Sequence, residues 1–588
     1  MLTVSRETRM EILVHTSGLG ARMEMTTFRR VFLLVVVFLL SGLLAKPTFA
    51  DQGDPPARVA RLSIVQGSVS LQPSGESQWS QASVNYTVTT GDHLYTDQDA
   101  RAELEAGPYA VRLSQATDLT LANLNDQLMQ LGLGQGSIRV TVFELPENNS
   151  VEIDTPNGAL TLLRAGSYRV DTDPDGGSTL VRVNSGSLEI TGGGVTQAVQ
   201  SGQAVQLTGA GPIAVSFVSL PKPDDFDKWS AGRDRRIEES GSSQYVSRYV
   251  PGCEDLDSYG HWRVVAEYGP VWYPTAVPVG WVPYRFGHWV WIEPWGWTWV
   301  ENEPWGFVPF HYGRWAHIGP AWAWVPGPVV VRPVYAPALV AFVGGAGFSV
   351  GVGIGGVGIH AWFPLGPREP FLPWYHHGPT YLREVNVTNV RNVTNITNVT
   401  NVTNIRYANR EVATTAVPTE VFRGGQPVAE RMVRVTPEQA ARAQVIPHPN
   451  VSPTANAVFG GRPAAAPPVR AERLAPQAEA PRGMPPAASR PSAPPPRRGF
   501  GQPASTPAPR IITRRPPPER NVPFAAREPA MTSHPGRPLE PQQIGNLRAG
   551  KPAGAMRDRE VPSHPAQAPR SGRSESRPAP REGREPRR

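Results

Sequence analysis

Fourteen of the sixteen tryptophans lie between Trp262 and Trp374, twelve of them between Trp262 and Trp324. A buried aromatic side chain removes roughly 150–250 Å² from water, so this chain must either gather the rings into a core or lay them out as a face for a ligand. The segment is built on an internal repeat. Tyr259-Gly260-His261-Trp262, Phe286-Gly287-His288-Trp289 and Tyr312-Gly313-Arg314-Trp315 recur at spacings of 27 and 26 residues. Around them Val282-Pro283-Tyr284 matches Val308-Pro309-Phe310, and Trp297-Thr298-Trp299-Val300 matches Trp322-Ala323-Trp324-Val325. Each unit reads as a strand pair with aromatic residues at alternate positions between Pro and Gly turn signals. Three copies predict a small propeller-like or meander unit within an aromatic-repeat β domain over residues 259–381. In one reading the rings supply the core that such short units otherwise lack, each worth several kcal/mol at about 25 cal/mol per Å². In the other, Trp289, Trp291, Trp295, Trp297, Trp299 and Trp315 form an exposed row that stacks on sugar rings, with His288, Arg314 or Glu293 adding polar contacts.

Residues 57–210 show a different pattern. Apolar residues alternate in short bursts, among them Leu62 and Ile64, Val111 and Leu113, Ile138, Val140 and Val142, Val151 and Ile153, and Val205 and Leu207. Period two means one buried strand face. Turn formers at Gly67, Gly91-Asp92, Asn157-Gly158 and Asp175-Gly176-Gly177 separate the bursts, which predicts many short antiparallel strands in a β-sandwich or a β-solenoid. A connector helix and linker follow at 223–245, with Phe226, Trp229, Arg233 and Ile237 on one helical face, acids at its start, and Gly241-Ser242-Ser243 loosening the chain after it.

The ordered motifs Val65-Gln66-Gly67-Ser68-Val69, Gly91-Asp92-His93-Leu94, Asp154-Thr155-Pro156-Asn157, Gly166-Ser167-Tyr168-Arg169-Val170 and Gly186-Ser187-Leu188-Glu189 resemble the FecR domain. The resemblance implies an all-β extracytoplasmic module. Regulators of that family couple an outer-membrane receptor to a cytoplasmic sigma factor. Here only about 30 residues precede the apolar N-terminal segment, too few for a folded cytoplasmic domain. The repeat region, with Tyr335-Ala336-Pro337-Ala338-Leu339 and Trp362-Phe363-Pro364-Leu365-Gly366-Pro367, resembles domain of unknown function 6600, found behind FecR-like domains in exported bacterial proteins. That resemblance implies no activity and no site residues.

Catalytic signatures are missing from residues 57–210: there is no Gly-x-Ser-x-Gly, no His-Glu-x-x-His and no phosphate loop. Asp92, Asp118, Asp154 and Asp171 fall at turns and strand ends, where Asp serves the backbone, and their spacing pairs no two of them. The lone Cys253 excludes an intrachain disulfide framework. His261, His288, His311, His317, His360, His376 and His377 cluster in the repeat region, but His261 and His288 hold equivalent repeat positions and mark copies of one strand. Neither metal nor cofactor is expected.

The termini speak to compartment. Arg29-Arg30, an uncharged apolar run from Val31 to Leu44 and the small-x-small pattern Thr48-Phe49-Ala50 have the form of a secretory signal peptide over 1–50, with Met25 as an alternative start. The run is short of the ~20 residues that span a bilayer. At the other end, residues 451–588 carry 24 Lys and Arg against 10 Asp and Glu, with 30 prolines and no Trp or Tyr. Such a tail cannot bury enough apolar surface to offset chain entropy, which predicts disorder. Between tail and repeat region, Asn-Val/Ile-Thr triplets over 386–405 predict an extended segment, and 406–450 reads as a mixed linker with one short helix at Thr436-Pro437. A charge-free stretch with alternating Phe348, Val350, Val352 and Ile354 reads as a strand.

Together these features predict an exported, periplasmic or envelope-associated, all-β protein that is not an enzyme. It would act as an interaction or scaffold module toward an envelope protein or an anionic or glycan polymer, without specific nucleic-acid binding or an integral span in the mature chain. The alternatives are a sensor component of FecR-type signalling and a glycan-binding or glycan-active protein.

Overall fold

The computed structural model describes residues 54–275, 277–329, 333–344, 358–386, 405–464 and 511–553. The expected signal peptide, the strand around Phe348–Ile354, nearly all of the Asn-Val-Thr triplets and much of the tail lie outside them.

The first module is all-β and two-layered. Seventeen strands run from Ala60–Gln66 to Ala214–Val218, and the chain passes back and forth between two facing sheets. The 15-residue strand Leu128–Val142 belongs to both layers: its first half pairs with Ser150–Thr155 and Thr117–Leu124, its second with Gly166–Thr172 and Tyr109–Leu113. Gly136, at φ +86° and with the Thr117 backbone where a Cβ would stand, permits the crossing between layers. All pairings but one are antiparallel, the exception being Leu128–Val142 with Ser150–Thr155. Val111, Ile138, Val140, Val151, Ile153 and Val205 face inward and are buried, as period two requires.

In the second module each repeat is a hairpin: Gly260–Val265 with Gly269–Pro274, Gly287–Ile292 with Gly296–Glu301, and Arg314–Ile318 with Ala321–Val325. Within each, the repeat's tryptophan stands opposite a tryptophan of the return strand: Trp262 opposite Trp272, Trp289 opposite Trp299, Trp315 opposite Trp324. The repeat glycine has a physical cause. A Cβ on Gly260, Gly287 or Gly313 would come within 2.2–2.7 Å of the indole of Trp272, Trp299 or Trp324 respectively. The expected propeller or meander does not form. The first and third hairpins share one sheet through Trp272 and Trp324, while the second stands as a separate two-stranded ribbon.

Three further expectations are corrected. Segment 406–450 is no linker: Thr415–Pro418 and Gln444–Ile446 flank Val340–Gly344 and Ile359–Pro364 in a four-stranded sheet. Strands of three or four residues show too little alternation to be read. The predicted helix there does form, at Pro437–Arg442, with a Thr436–Gln439 capping box. Gly241-Ser242-Ser243 is not loose either, because Asp257 accepts hydrogen bonds from Ser240 Oγ, Ser242 N and Ser242 Oγ. Finally, part of the tail is folded. Residues 451–464 and 511–553 return to the body, with helices Ala455–Phe459, Phe524–Ser533 and Pro541–Arg548. Their sparse apolar groups, Val522, Phe524, Met531 and Leu539, are buried against a core built by other residues, so this segment needs none of its own.

One continuous apolar core runs through both modules. At their junction Asn85 Nδ2 donates to the carbonyls of Glu301 and Glu303, and the hydroxyls of Thr87 and Tyr335 hydrogen-bond.

Candidate functional site

The six tryptophans considered as a stacking row are all buried: Trp289, Trp291, Trp295, Trp297, Trp299 and Trp315 are each no more than 2 % exposed. Trp289 and Trp299 meet edge to face at 5.4 Å, as do Trp291 and Trp297. Phe422, from the segment expected to be a linker, packs on both Trp289 and Trp297. These rings form core, and the exposed row is not realised. The polar groups assigned to it are engaged elsewhere. Arg314 is buried and donates to the Glu369 carbonyl and Asn386 Oδ1, while Glu293 takes Trp291 Nε1 and the Arg527 guanidinium. Burial pushes the His288 imidazole down to about 4. Among the described residues no three His, Cys, Asp or Glu side chains gather as a metal cluster.

The connector helix Asp225–Glu238 docks through charge more than through an apolar stripe. Asp224 caps it reciprocally with Asp227. Phe226 is buried, whereas Trp229 and Ile237 are half-buried. Asp227 meets Arg139, Arg169 and Arg182, Asp234 meets Arg112 and Arg139, and Arg233 reaches Glu103 and Glu254. Burial alone would raise the Glu103 carboxyl, but Arg112 and Arg233 hold it down at about 2. The sequence reading missed this seam. Its one trace is a set of arginines, Arg112, Arg139, Arg169 and Arg182, at mid-strand positions where an exposed sheet face would rarely concentrate a single charge.

The aspartates at strand ends also separate by role. Asp92 accepts from Ser74 N and Thr89 N in a turn, Asp118 pairs with His93, and Asp171 pairs with Arg169 and Arg182. Asp154 differs. It shares the outer face of Ser150–Thr155 with Glu152, since residues two apart point the same way. Gln130 reaches them from the neighbouring strand: its Nε2 stands 2.8 Å from Asp154 Oδ2 and 3.4 Å from Glu152 Oε1. All three residues are at most 2 % exposed.

What covers them is the tail. Ile512 N donates to the Thr155 carbonyl at 2.9 Å in an antiparallel bridge. Ile511 and Ile512 lie over Gly132 and Gly192, where an added Cβ would meet them at 3.4 Å. The amides of Arg514 and Arg515 both donate to Glu152 Oε1, at 3.1 and 3.3 Å, and the Arg514 guanidinium pairs with Glu189. Thr513 Oγ1 and the Arg515 carbonyl stand 2.8 and 2.7 Å from Gln130 Nε2. Further along, Arg527 is 2 % exposed and bridges Glu76 of the first module and Glu293 of the second. Residues 511–553 thus form a strap across both modules, seated on Ser150–Thr155 through polar contacts.

A family model described as "Family of unknown function (DUF6600)" matches residues 253–369, a span that takes in all three hairpins. No curated protein matches. Matching solved structures include two crystal structures of "a putative anti-sigma factor from Parabacteroides distasonis ATCC 8503", at 1.65 and 2.50 Å resolution. They are 11 % and 12 % identical to this chain over 22 % of its length, each with a TM-score of 0.20, and the chain spans 60 % of theirs.

Proposed function

We propose that this chain is an exported, non-enzymatic interaction or scaffold protein of the cell envelope, whose first module holds an extended protein segment on its outer sheet face. The observation that carries this reading is the strap. A main-chain bridge at Thr155, apolar contacts over two glycines and carboxylates facing backbone amides are the elements by which sheets receive extended peptides. Export rests on the signal-peptide pattern before Asp51, and no helix of the described residues is long and apolar enough to cross a membrane. The FecR-like motif order supports an extracytoplasmic place for the first module. A sensor role in FecR-type signalling would add a membrane-anchored partner, and co-purification with one would favour it.

The test is fractionation of cells producing the full chain, with N-terminal sequencing, followed by recovery of partners from envelope fractions at low and high salt. The expected result is a mature N-terminus after Ala50 and envelope proteins retained on the bait. Full-length protein in the cytosol with 1–50 intact, or turnover of an envelope glycan by the purified chain, would overturn the reading.

A further inference from the structure

We propose that Gln130, Glu152 and Asp154, together with the Thr513 hydroxyl and the Arg515 carbonyl of the strap, form a site for a hard divalent cation, calcium first of all, and that the bound cation locks the strap to the first module. This goes beyond the scaffold reading and does not depend on it.

The first argument is a surplus of acceptors. Four oxygens from four residues, Glu152 Oε1, Asp154 Oδ2, Thr513 Oγ1 and the Arg515 carbonyl, lie within 3.4 Å of the single nitrogen Gln130 Nε2. That nitrogen has two protons; the other donors at this point are the amides of Arg514 and Arg515, both on Glu152 Oε1, and the Thr513 hydroxyl, on the Arg515 carbonyl. Gln130 Oε1 is itself buried without a donor, and Glu152 Oε2 and Asp154 Oδ1 accept no hydrogen bond from any other described residue. Buried oxygens left this way are costly.

Charge gives the second argument. Two adjacent carboxylates are covered, and no Lys, Arg or His among the described residues forms an ion pair with either; the guanidinium of Arg514 pairs with Glu189 instead. A divalent ion would supply what is missing.

The donor chemistry selects the ion. A half-turn of the Gln130 amide exchanges Nε2 for Oε1 and makes the set all oxygen: two carboxylates, an amide, a hydroxyl and a main-chain carbonyl. Hard cations take that set, and zinc or copper prefer nitrogen and sulfur. Neighbouring oxygens on calcium, with bonds of about 2.4 Å, sit roughly 3–3.4 Å apart, and the four acceptors already lie 2.7–3.4 Å from the Gln130 nitrogen whose place Oε1 would take. The amides of Arg514 and Arg515 fix Glu152 Oε1 and leave Oε2 free to turn inward. Because the strap supplies two of the five donors, cation affinity and strap attachment are linked.

The experiment uses the full-length mature protein stripped with a chelator. Calcium and magnesium titrations by calorimetry are run beside limited proteolysis that reports the strap, on wild type, Asp154→Asn, Glu152→Gln, Thr513→Val and, as a control, Glu189→Gln. We expect one equivalent of calcium to bind, with cleavage around 511–553 slowed severalfold. Affinity should fall at least about tenfold in Asp154→Asn and Glu152→Gln, less in Thr513→Val and little in Glu189→Gln. The proposal is overturned if wild type binds neither ion up to about 10 mM, above the weakest extracellular calcium sites. It is equally overturned if both carboxylate variants bind like wild type, if calcium binds without protecting the strap, or if strap release follows pH alone and ignores the cation. Should one carboxylate variant misfold, the stripped and reloaded wild type still decides the outcome.

Discussion

Arg233 of the connector helix reaches Glu103 of the first module, Nη2 to Oε1 at 2.7 Å, and Arg112 meets the other oxygen of the same carboxylate at 2.6 Å. Glu103 and Arg112 have no side-chain exposure, so neither charge falls back on water when its partner is removed. Glu103→Ala is therefore expected to cost about 3–5 kcal/mol, the range for breaking a buried pair on one side, measured as a drop in the denaturant midpoint of the full chain. Lys228→Ala, which removes an exposed pair with Asp225, should leave the midpoint unchanged.

Two glycines predict opposite signs. A Cβ on Gly287 would meet the Val300 carbonyl at 2.2 Å and the Trp299 ring at 2.7 Å; the backbone cannot yield as a flexible side chain would, so Gly287→Ala should destabilise by roughly 1–3 kcal/mol or more. Gly232 lies inside the connector helix with nothing within 4 Å of an added Cβ, and Gly232→Ala should stabilise by up to about 1 kcal/mol. Thermal melts of the two variants beside wild type check both.

His311 is fully buried, and its Nδ1 donates to the Ala336 carbonyl at 2.8 Å. Burial pushes its imidazole down to about 3. A group whose folded pKa is depressed binds its proton more readily when unfolded. The stability it contributes is thus complete above about pH 6.5, the ordinary imidazole value, and is lost as pH falls toward 3. The melting temperature should drop across that window, and His311→Gln should flatten the slope there even if it lowers the plateau.

Arg527 joins Glu76 and Glu293, and Phe524 N also donates to Glu76 at 2.8 Å. Arg527→Ala leaves two carboxylates without their cation and is expected to release helix Phe524–Ser533. The readout is protease cleavage near Phe524 at least tenfold faster than in wild type, with both β modules still melting cooperatively. Unchanged cleavage would mean that the apolar contacts of Phe524 and Met531 suffice.

The fold was legible where local periodicity is strong. Alternation marked the strands of the first module, and the Gly-basic-Trp repeat marked three hairpins, because each is closed within about 15 residues. The environment of the tryptophans was not legible. Alternation assigns a ring to a face, but whether that face meets solvent depends on Phe422, Tyr335 and Trp362, which arrive from elsewhere in the chain. The same limit hid the seam of Asp227, Asp234 and their arginines: charges on a helix and on strands each resemble a solvated surface until the two surfaces meet. Glu152 and Asp154 were obscured for a further reason. Asp154 on its own reads as a turn former, while Gln130 lies 22 and 24 residues before the two carboxylates and Thr513 lies 361 residues after Glu152. Composition misled in the tail, since an average over 138 residues cannot show that a few of them find a seat on a core already built.

Glu76 and Arg527 are separated by 451 positions in the chain. Synthesis proceeds at about 5–20 residues per second, so the stretch from Val218, where the first module ends, to Arg527 takes roughly 15–60 s to make. Every molecule therefore passes through an unstrapped youth, with the seat on Ser150–Thr155 vacant while the protein is still being born. Whatever meets the first module before residues 511–553 have arrived meets an open seat, and closure is the final act of its maturation.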